Sequence, residues 1–356
     1  MKILHSADWH LDSPLVGFSA DQAARLRQEL LAIPGKLSQL CRDEGCDLAL
    51  LAGDLFDGKA SAETVRIVRD ALEEMAVPVF ITPGNHDFLS PESPWLTQLW
   101  PENVHIFTKQ EIESFPLPQL DCRIYGAGFT AMDCPGLLKD FHAECDEKYA
   151  IGILHGDPTQ VSSPYCPITK PQVAKTGLTY LALGHIHKEG AFRSGSTLCA
   201  WPGCPMGRGY DEEGQKGTLI VTIGEEVSTR FVSLGAPCFY DLQILAGDSP
   251  KESLAAALPP VDSDDYYRIT FTGPSEPVDL GALQAEFAGF SNLLLRDKTT
   301  TPIDPWAAIG ADSFEGMYFA TLKETMEESP EDQKHLTLLA ARLSRQLLDG
   351  QEVVLP

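Results

Sequence analysis

The sequence predicts an α/β protein, and three observations carry that reading. Apolar, strand-like runs alternate with helical periodicity from the first residues to about 185, the pattern of parallel βαβ units. Five of the apolar runs, at residues 2–5, 48–52, 77–82, 150–154 and 179–183, are followed at once by short runs rich in Gly, Asp, Asn and His. From Gly190 onward strands dominate, which predicts a second sheet packed on the first with helices outside.

In chain order, the strand at 2–5 leads into helix at 21–31 and 36–44, broken near Pro34 because proline lacks the amide that closes the turn. The strand at 48–52 precedes a helix at 62–75, for which Ser61 is a suitable N-cap and Glu63 places an acid in the first turn. The strands at 77–82, 150–154 and 179–183 continue the series. Residues 218–223 and 227–234 flank Gly224-Glu225-Glu226 as a hairpin, and a strand at 239–245 follows. Ala246-Gly247-Asp248-Ser249-Pro250 reads as a linker. Beyond it, 251–258, 266–272, 278–290 and 293–299 read as helix, strand, helix, strand, enough for a small α/β domain. Two helices are expected at 313–328 and 331–348, the second opened by Ser329-Pro330-Glu331-Asp332 as cap, Pro at N1 and acids in the first turn. In it Leu336, Leu339, Ala340, Leu343 and Leu347 form one apolar stripe, which either packs on its own domain or meets a partner. The expected divisions are a catalytic domain over 1–245, a small α/β domain over 251–300 and a helical tail over 301–356.

The polar runs are Asp8-Trp9-His10, Gly53-Asp54, Gly84-Asn85-His86-Asp87, His155-Gly156-Asp157 and Gly184-His185-Ile186-His187. Functional groups of parallel sheets gather beyond the carboxyl ends of the strands, so these runs are expected to meet. Carboxylate, imidazole and amide oxygen together suit divalent metal, and a mixed N/O set without thiolate suits manganese or iron, with zinc as a further candidate. Two ions about 3.5–4 Å apart need a ligand that reaches both, and Asp54, ending a strand in mid-series, is the candidate bridge. Asp8 and His10 alternate on one extended run and are expected to face one ion; His185 and His187 have the same i, i+2 relation and can serve two adjacent ions. Asp57 and Asp87 are expected to orient imidazoles or cap turns. His5, inside the first strand, is expected to be a satisfied core histidine, and His105, His142 and His335 to lie at the surface.

This ordered set resembles the calcineurin-like metallophosphoesterases. The opening Lys2-Ile3-Leu4-His5-Ser6-Ala7-Asp8-Trp9-His10-Leu11, with Gly53-Asp54-Leu55-Phe56-Asp57, resembles more narrowly the SbcD/YhaO branch of DNA-repair exonucleases. Trp201-Pro202-Gly203-Cys204-Pro205 and Lys216-Gly217 fit that branch too, where serine is more usual at the position of Cys204. The close resemblance covers about residues 1–240. It implies a four-layer αββα sandwich with a capping domain and a helical tail. It implies one ion held by Asp8, His10, Asp54 and His187, and a second held by Asp54, Asn85, His155 and His185. His86 would be a non-ligand that protonates the leaving oxygen or steadies the phosphoryl transition state. Manganese would be the metal, with iron or zinc as alternatives; DNA would be the substrate and an SbcC-like coiled-coil ATPase the partner on the tail. It is compatible with a homodimer.

Composition sets further expectations. Apolar residues make up 43% and charged residues 22% of 356, the balance of an ordinary globular protein. No apolar run is long enough to cross a bilayer, and Met1 leads straight into a strand, which is read as leaving no room for a secretion signal. Nine scattered cysteines without a CxxC pair argue for a reducing cytoplasm and against a thiolate zinc site. A net charge of −24 opposes unaided DNA binding. Lys188, Arg193, Arg208 and Lys216 follow the GHIH run and either contact phosphates or sit on a solvated face. DNA affinity is therefore expected to come largely from the partner. A phosphodiesterase or phosphatase for a small or cyclic nucleotide shares the metal set and is the alternative; a non-catalytic adaptor is disfavoured by the complete set of ligand types.

Overall fold

The computed structural model describes residues 1–260, 263–301 and 304–350. The last residues of the expected tail, 351–356, lie outside it, as do 261–262 and 302–303. The chain forms two compact units, one of Met1–Tyr240 with Asp264–Tyr266, the other of Asp241–Ser263 and the residues from Tyr267 onward.

The first unit contains β1 (Lys2–Ser6), α1 (Ala20–Asp43), β2 (Leu48–Leu51), α2 (Ala62–Glu74), β3 (Val79–Ile81), α3 (Pro94–Thr97), β4 (Val104–Ile106), β5 (Glu113–Leu117) and β6 (Cys122–Gly126). It continues with β7 (Tyr149–His155), α4 (Lys170–Val173), β8 (Tyr180–Gly184), β9 (Gly190–Ser194), β10 (Thr197–Trp201), β11 (Gly217–Ile223) and β12 (Val227–Ser233). Two six-stranded sheets result, in the orders β12-β11-β1-β2-β3-β4 and β5-β6-β7-β8-β10-β9. β1 to β4 are mutually parallel, as are β6, β7, β8 and β10, while β11 runs antiparallel to β1. The five strands that carry polar runs are thus divided between two sheets rather than lined up in one. The late hairpin β11–β12 completes the first sheet instead of beginning the second.

Side-chain alternation explains the layering. Ile3, Leu48, Leu50, Phe80, Leu219 and Val221 pack with Ile124, Ile151, Ile153, Tyr180 and Ala182 between the sheets. The alternate residues Leu4, Ala49, Leu51, Val79 and Ile81 pack outward on Leu26, Leu30, Ile33 and Leu37 of α1 and Val65, Val68 and Leu72 of α2. The outer face of the second sheet is covered mainly by loops and the short α4, through Phe129, Leu138, Ile168 and Val173, not by long helices.

Helix α1 is continuous through Pro34, contrary to the expected break. A proline inside a helix costs about 3 kcal/mol. Leu26, Leu30, Ile33 and Leu37 are each fully buried on one face, at roughly 1.5–3 kcal/mol apiece, so packing holds both halves in line. A capping box of Ser19 and Gln22 fixes the N-terminus, and Ser61 caps α2 by accepting from Thr64 N–H at 3.1 Å. His5 is a core residue, its ring nitrogens 2.7 Å from Tyr180 Oη and 3.0 Å from Leu183 O. His105 is half-buried with its ring stacked on Phe80, whereas His142 and His335 are exposed.

In the second unit, β13 (Phe239–Leu245), α5 (Pro250–Ala257), β14 (Tyr266–Thr272), α6 (Leu280–Glu286) and β15 (Leu293–Asp297) form a three-stranded sheet in the order β13-β14-β15 with two helices. β14 and β15 are parallel, joined by the α6 crossover. α7 (Phe314–Glu328) and α8 (Glu331–Leu348) make a helical hairpin tied by Tyr318 Oη to Ser344 Oγ at 2.9 Å and Arg345 to Glu315 at 3.2 Å. Pro330 is the N-cap of α8, not its N1 residue. Ser329 belongs to the end of α7, where its hydroxyl donates to Thr325 O.

Candidate metal centre

The loop after β1 and the loop after β2 are stitched together by backbone bonds: Asp8 N–H to Gly53 O at 2.9 Å, His10 N–H to Asp54 O at 2.9 Å and Leu11 N–H to Leu55 O at 3.0 Å. Asp8, His10, Asp54 and His185 all have positive φ, between 47° and 89°, which costs energy for non-glycine residues and is tolerated where the surroundings enforce it. Asp8 and His10 therefore do not lie on an extended run; two left-handed residues bring them to the same place. Two glycines make room for the site. A Cβ on Gly53 would sit 2.4 Å from His155 Nδ1, and one on Gly84 2.2 Å from Asp54 Oδ1.

All of the candidate residues converge. Asp8, His10 and His187 present ligand-type atoms within 4.8 Å of one another, and so do Asp8, Asp54 and His155. One oxygen of Asp54, Oδ2, lies 3.7 Å from His10 Nε2 and 3.3 Å from His155 Nε2. Asn85 Oδ1 is 3.0 Å from His155 Nε2, and the His10 and His187 Nε2 atoms are 3.1 Å apart. His185 lies at the rim of the group, its ring centroid 5.2 Å from that of His155, with the Tyr165 ring beside it. Its N–H donates to both oxygens of Asp8, at 2.9 and 3.1 Å.

Charge and burial together make this donor set fit cations. Asp8 and Asp54 are almost wholly excluded from solvent. Burial raises the Asp8 carboxyl above its ordinary range, although His187 and His155 pull it down. For Asp54 burial acts in the same direction, but the charge and hydrogen bond of His155 outweigh it and hold the group low. His155 is pushed up to about 10: burial opposes its protonation and Asp54 overrides it. Burial drives His185 down to about 4 and also lowers His10. Such a cluster needs positive charge, and the tautomers favour its coming from metal. His155 Nδ1 is 2.9 Å from Ala52 O and His187 Nδ1 is 2.6 Å from Glu212 Oε1. With Nδ1 donating in each, Nε2 is the nitrogen left to face the cluster, where an ion would take the place of the proton that the neighbouring carboxylates otherwise hold on the ring. His10 Nδ1, 3.9 Å from Asp57 Oδ1, has no hydrogen-bond partner among the described residues.

His86 lies at the exposed edge of this group: it, His10 and Asp54 present ligand-type atoms within 4.8 Å of one another, and its ring centroid is 4.7 Å from that of His10. The His86 ring is partly exposed and Nδ1 is 2.7 Å from Asp57 Oδ1, a contact that raises its pKa. Its N–H donates to Asp54 Oδ1 at 2.8 Å. Asp57 thus orients an imidazole, and Asp87 accepts from the amides of Gly84 at 2.7 Å and Leu55 at 2.9 Å, a turn-forming role. Glu212 is missed in the sequence, and Arg208 is read there only as a phosphate contact or part of a solvated face. Glu212 is buried against His187 and binds Arg208, whose Nη2 is 3.2 Å from His187 Nδ1 and whose Nη1 is 3.9 Å from Asp57. Arg208 is mostly buried rather than solvated; only its i, i+4 relation to Glu212 hinted at the pair. Lys216 Nζ donates to His187 O at 3.2 Å, whereas Arg193 is engaged by Val227 O. Cys204 is buried in the turn behind His187, and its amide donates to His187 O at 3.4 Å.

The chain is similar to known proteins. The metallophosphoesterase YhaO of Bacillus subtilis is 33% identical over 239 residues, covering 63% of this chain and 57% of YhaO, so the match spans little more than half of that relative. The SbcD component of the SbcCD nuclease of Staphylococcus epidermidis is 24% identical over 315 residues, covering 78% of this chain and 81% of that protein. Among solved structures, a dimetal phosphatase from Danio rerio has 14% identity and a TM-score of 0.45, covering 65% of this chain and 99% of that one. Residues 1–189, more than half the chain and inclusive of all five polar runs, match the calcineurin-like phosphoesterase family. The family uses a dinuclear metal site, and the Asp and His side chains gathered here are of the kind such a site requires. The chain accordingly belongs to the calcineurin-like phosphoesterases, hydrolases that act on ester bonds.

Proposed function

We propose that this chain is a Mn²⁺-dependent DNA nuclease acting in DNA repair in the cytoplasm, together with a coiled-coil ATPase of the SbcC kind. The observation that carries the chemistry is Asp54, one oxygen of which, Oδ2, approaches an imidazole of each half of the cluster. Asp8, His10, Asp54 and His187 would hold one ion, and Asp54, Asn85, His155 and His185 the other. Bound there, two divalent ions supply a water nucleophile at neutral pH and neutralise the phosphate oxygens. Glu212 and Ala52 O, each accepting from Nδ1, keep His187 and His155 turned with Nε2 toward the pocket. His86, held by Asp57, gives a proton to the leaving oxygen as the P–O bond breaks, and recovers one from solvent. Residues 1–245 would be the catalytic domain, 251–300 a cap that orients DNA and 301–356 the docking tail. Exposed Leu336 and Leu347 on α8, with Met317 and Phe314 on α7, support the docking role.

Similarity to the SbcD components of SbcCD nucleases supports DNA as substrate. The net charge of −24 favours a second reading, a phosphodiesterase for a small or cyclic nucleotide. Digestion of linear duplex, single-stranded and hairpin DNA with Mn²⁺, against a cyclic dinucleotide, separates them. Faster cleavage of DNA is expected; a cyclic dinucleotide hydrolysed far faster than any DNA would replace the nuclease reading.

A further inference from the structure

A cleft of about 520 Å³ opens beside the metal centre and is lined by His86 itself. Its other wall is the exposed side of α2, with Arg66 and Arg69 three residues apart and so on one face, and Lys59 lines it from the loop before that helix. This concentration of cations is unusual in a chain with 27 basic and 51 acidic residues. Two carboxylates also line the cleft, Asp87 and Glu92. Asp87 is spent on backbone amides. Asp70 bridges Arg66 and Arg69 at 3.2 Å each, so one carboxylate serves two guanidinium groups, and with Lys59, Asp87 and Glu92 counted the cleft is balanced in charge where the chain as a whole is strongly acidic. Half-buried Phe88 lines the same space and offers a flat apolar face.

We propose that this cleft is a subsite for the strand on the leaving side of the scissile phosphate, with Arg66 and Arg69 gripping the next phosphate and Phe88 stacking the intervening base. The inference rests on the nuclease reading, because it is His86, as donor to the leaving oxygen, that puts the leaving strand on this side. Guanidinium pairs suit phosphate through paired N–H donors, and aromatic faces hold bases without regard to sequence. The volume lies within the range of sites that take small organic ligands. A chain otherwise too acidic to attract DNA would in this way hold the product end locally.

The test compares the Mn²⁺-loaded full chain with Arg66→Ala/Arg69→Ala and Arg66→Lys/Arg69→Lys variants. The substrates are a single-stranded oligothymidylate and bis(p-nitrophenyl) phosphate, which has no second phosphate. The alanine pair is expected to lower the ratio of oligothymidylate to aryl-ester kcat/KM at least tenfold. It should also make the salt dependence of oligothymidylate cleavage shallower by about 0.7 in log–log slope, the value of one phosphate contact on a single strand. The lysine pair, which keeps the charge but not the paired donors, should restore the salt slope and only part of the ratio. A ratio within twofold of the parent, or equal losses on both substrates, would overturn the subsite while leaving the nuclease reading in place. A parent enzyme that hydrolyses the aryl ester but neither oligothymidylate nor duplex nor hairpin DNA would overturn the nuclease reading and the subsite together, and one that cuts duplex but no oligothymidylate would overturn the subsite alone.

Discussion

Asp54 and His86 illustrate how differently two adjacent groups are treated. Asp54 is buried, takes the His86 N–H on one oxygen and approaches two imidazoles with the other. His86 is turned toward solvent and held at Nδ1 by Asp57. Asp54→Asn removes a charge that both halves of the cluster share, so both ions should be lost; two ions per chain by elemental analysis would refute the bridge. His86→Ala should leave the metal content intact and lower turnover by about 10²–10⁴-fold, the usual scale for an acid–base group. Normal turnover would remove His86 from the mechanism. Glu212 acts one step away, through His187 Nδ1. Glu212→Gln is expected to weaken Mn²⁺ binding by about 10–100-fold in calorimetric titration, and unchanged affinity would reduce Glu212 to an anchor for Arg208.

At the scale of elements, the ends of β1, β2, β3, β7 and β8 deliver the site and the helices hold those ends in place. α2 begins at Ser61, whose hydroxyl accepts from Thr64 N–H and whose own N–H donates to Asp12 at 2.7 Å, tying the helix to the loop that carries His10. Ser61→Ala should cost about 1 kcal/mol in urea unfolding. A change below a few tenths would mean that Asp12 alone fixes this helix end. The continuity of α1 through Pro34 shows the limit of local signals. Proline's missing amide is visible in sequence, but the buried face that outweighs it depends on a sheet assembled from distant residues. The hairpin β11–β12 was likewise legible as a hairpin, from its turn and alternation, while its place beside β1 was not.

For the whole molecule, the tail is the part whose role is most open to test. Removing residues 331–356 should weaken association with an SbcC-like ATPase in pull-down or ultracentrifugation and spare metal-dependent cleavage of small esters. Undiminished association would return the α8 stripe to packing within its own unit. Among the described residues no helix is long and apolar enough to cross a membrane.

The residue types of the site, their order and the strands that precede them are local properties, and the sequence alone determined them. Short-range alternation marks a strand, and a glycine followed by Asp, Asn or His marks where it stops. What only the tertiary structure decided is which strands share a sheet, and that the pocket lies where the ends of two sheets meet. Pairing between strands far apart in the chain is set by packing of whole faces, which no single segment encodes. For the same reason Arg208 and Glu212 went unread as a pair behind His187: buried contact, not spacing, gives them their place.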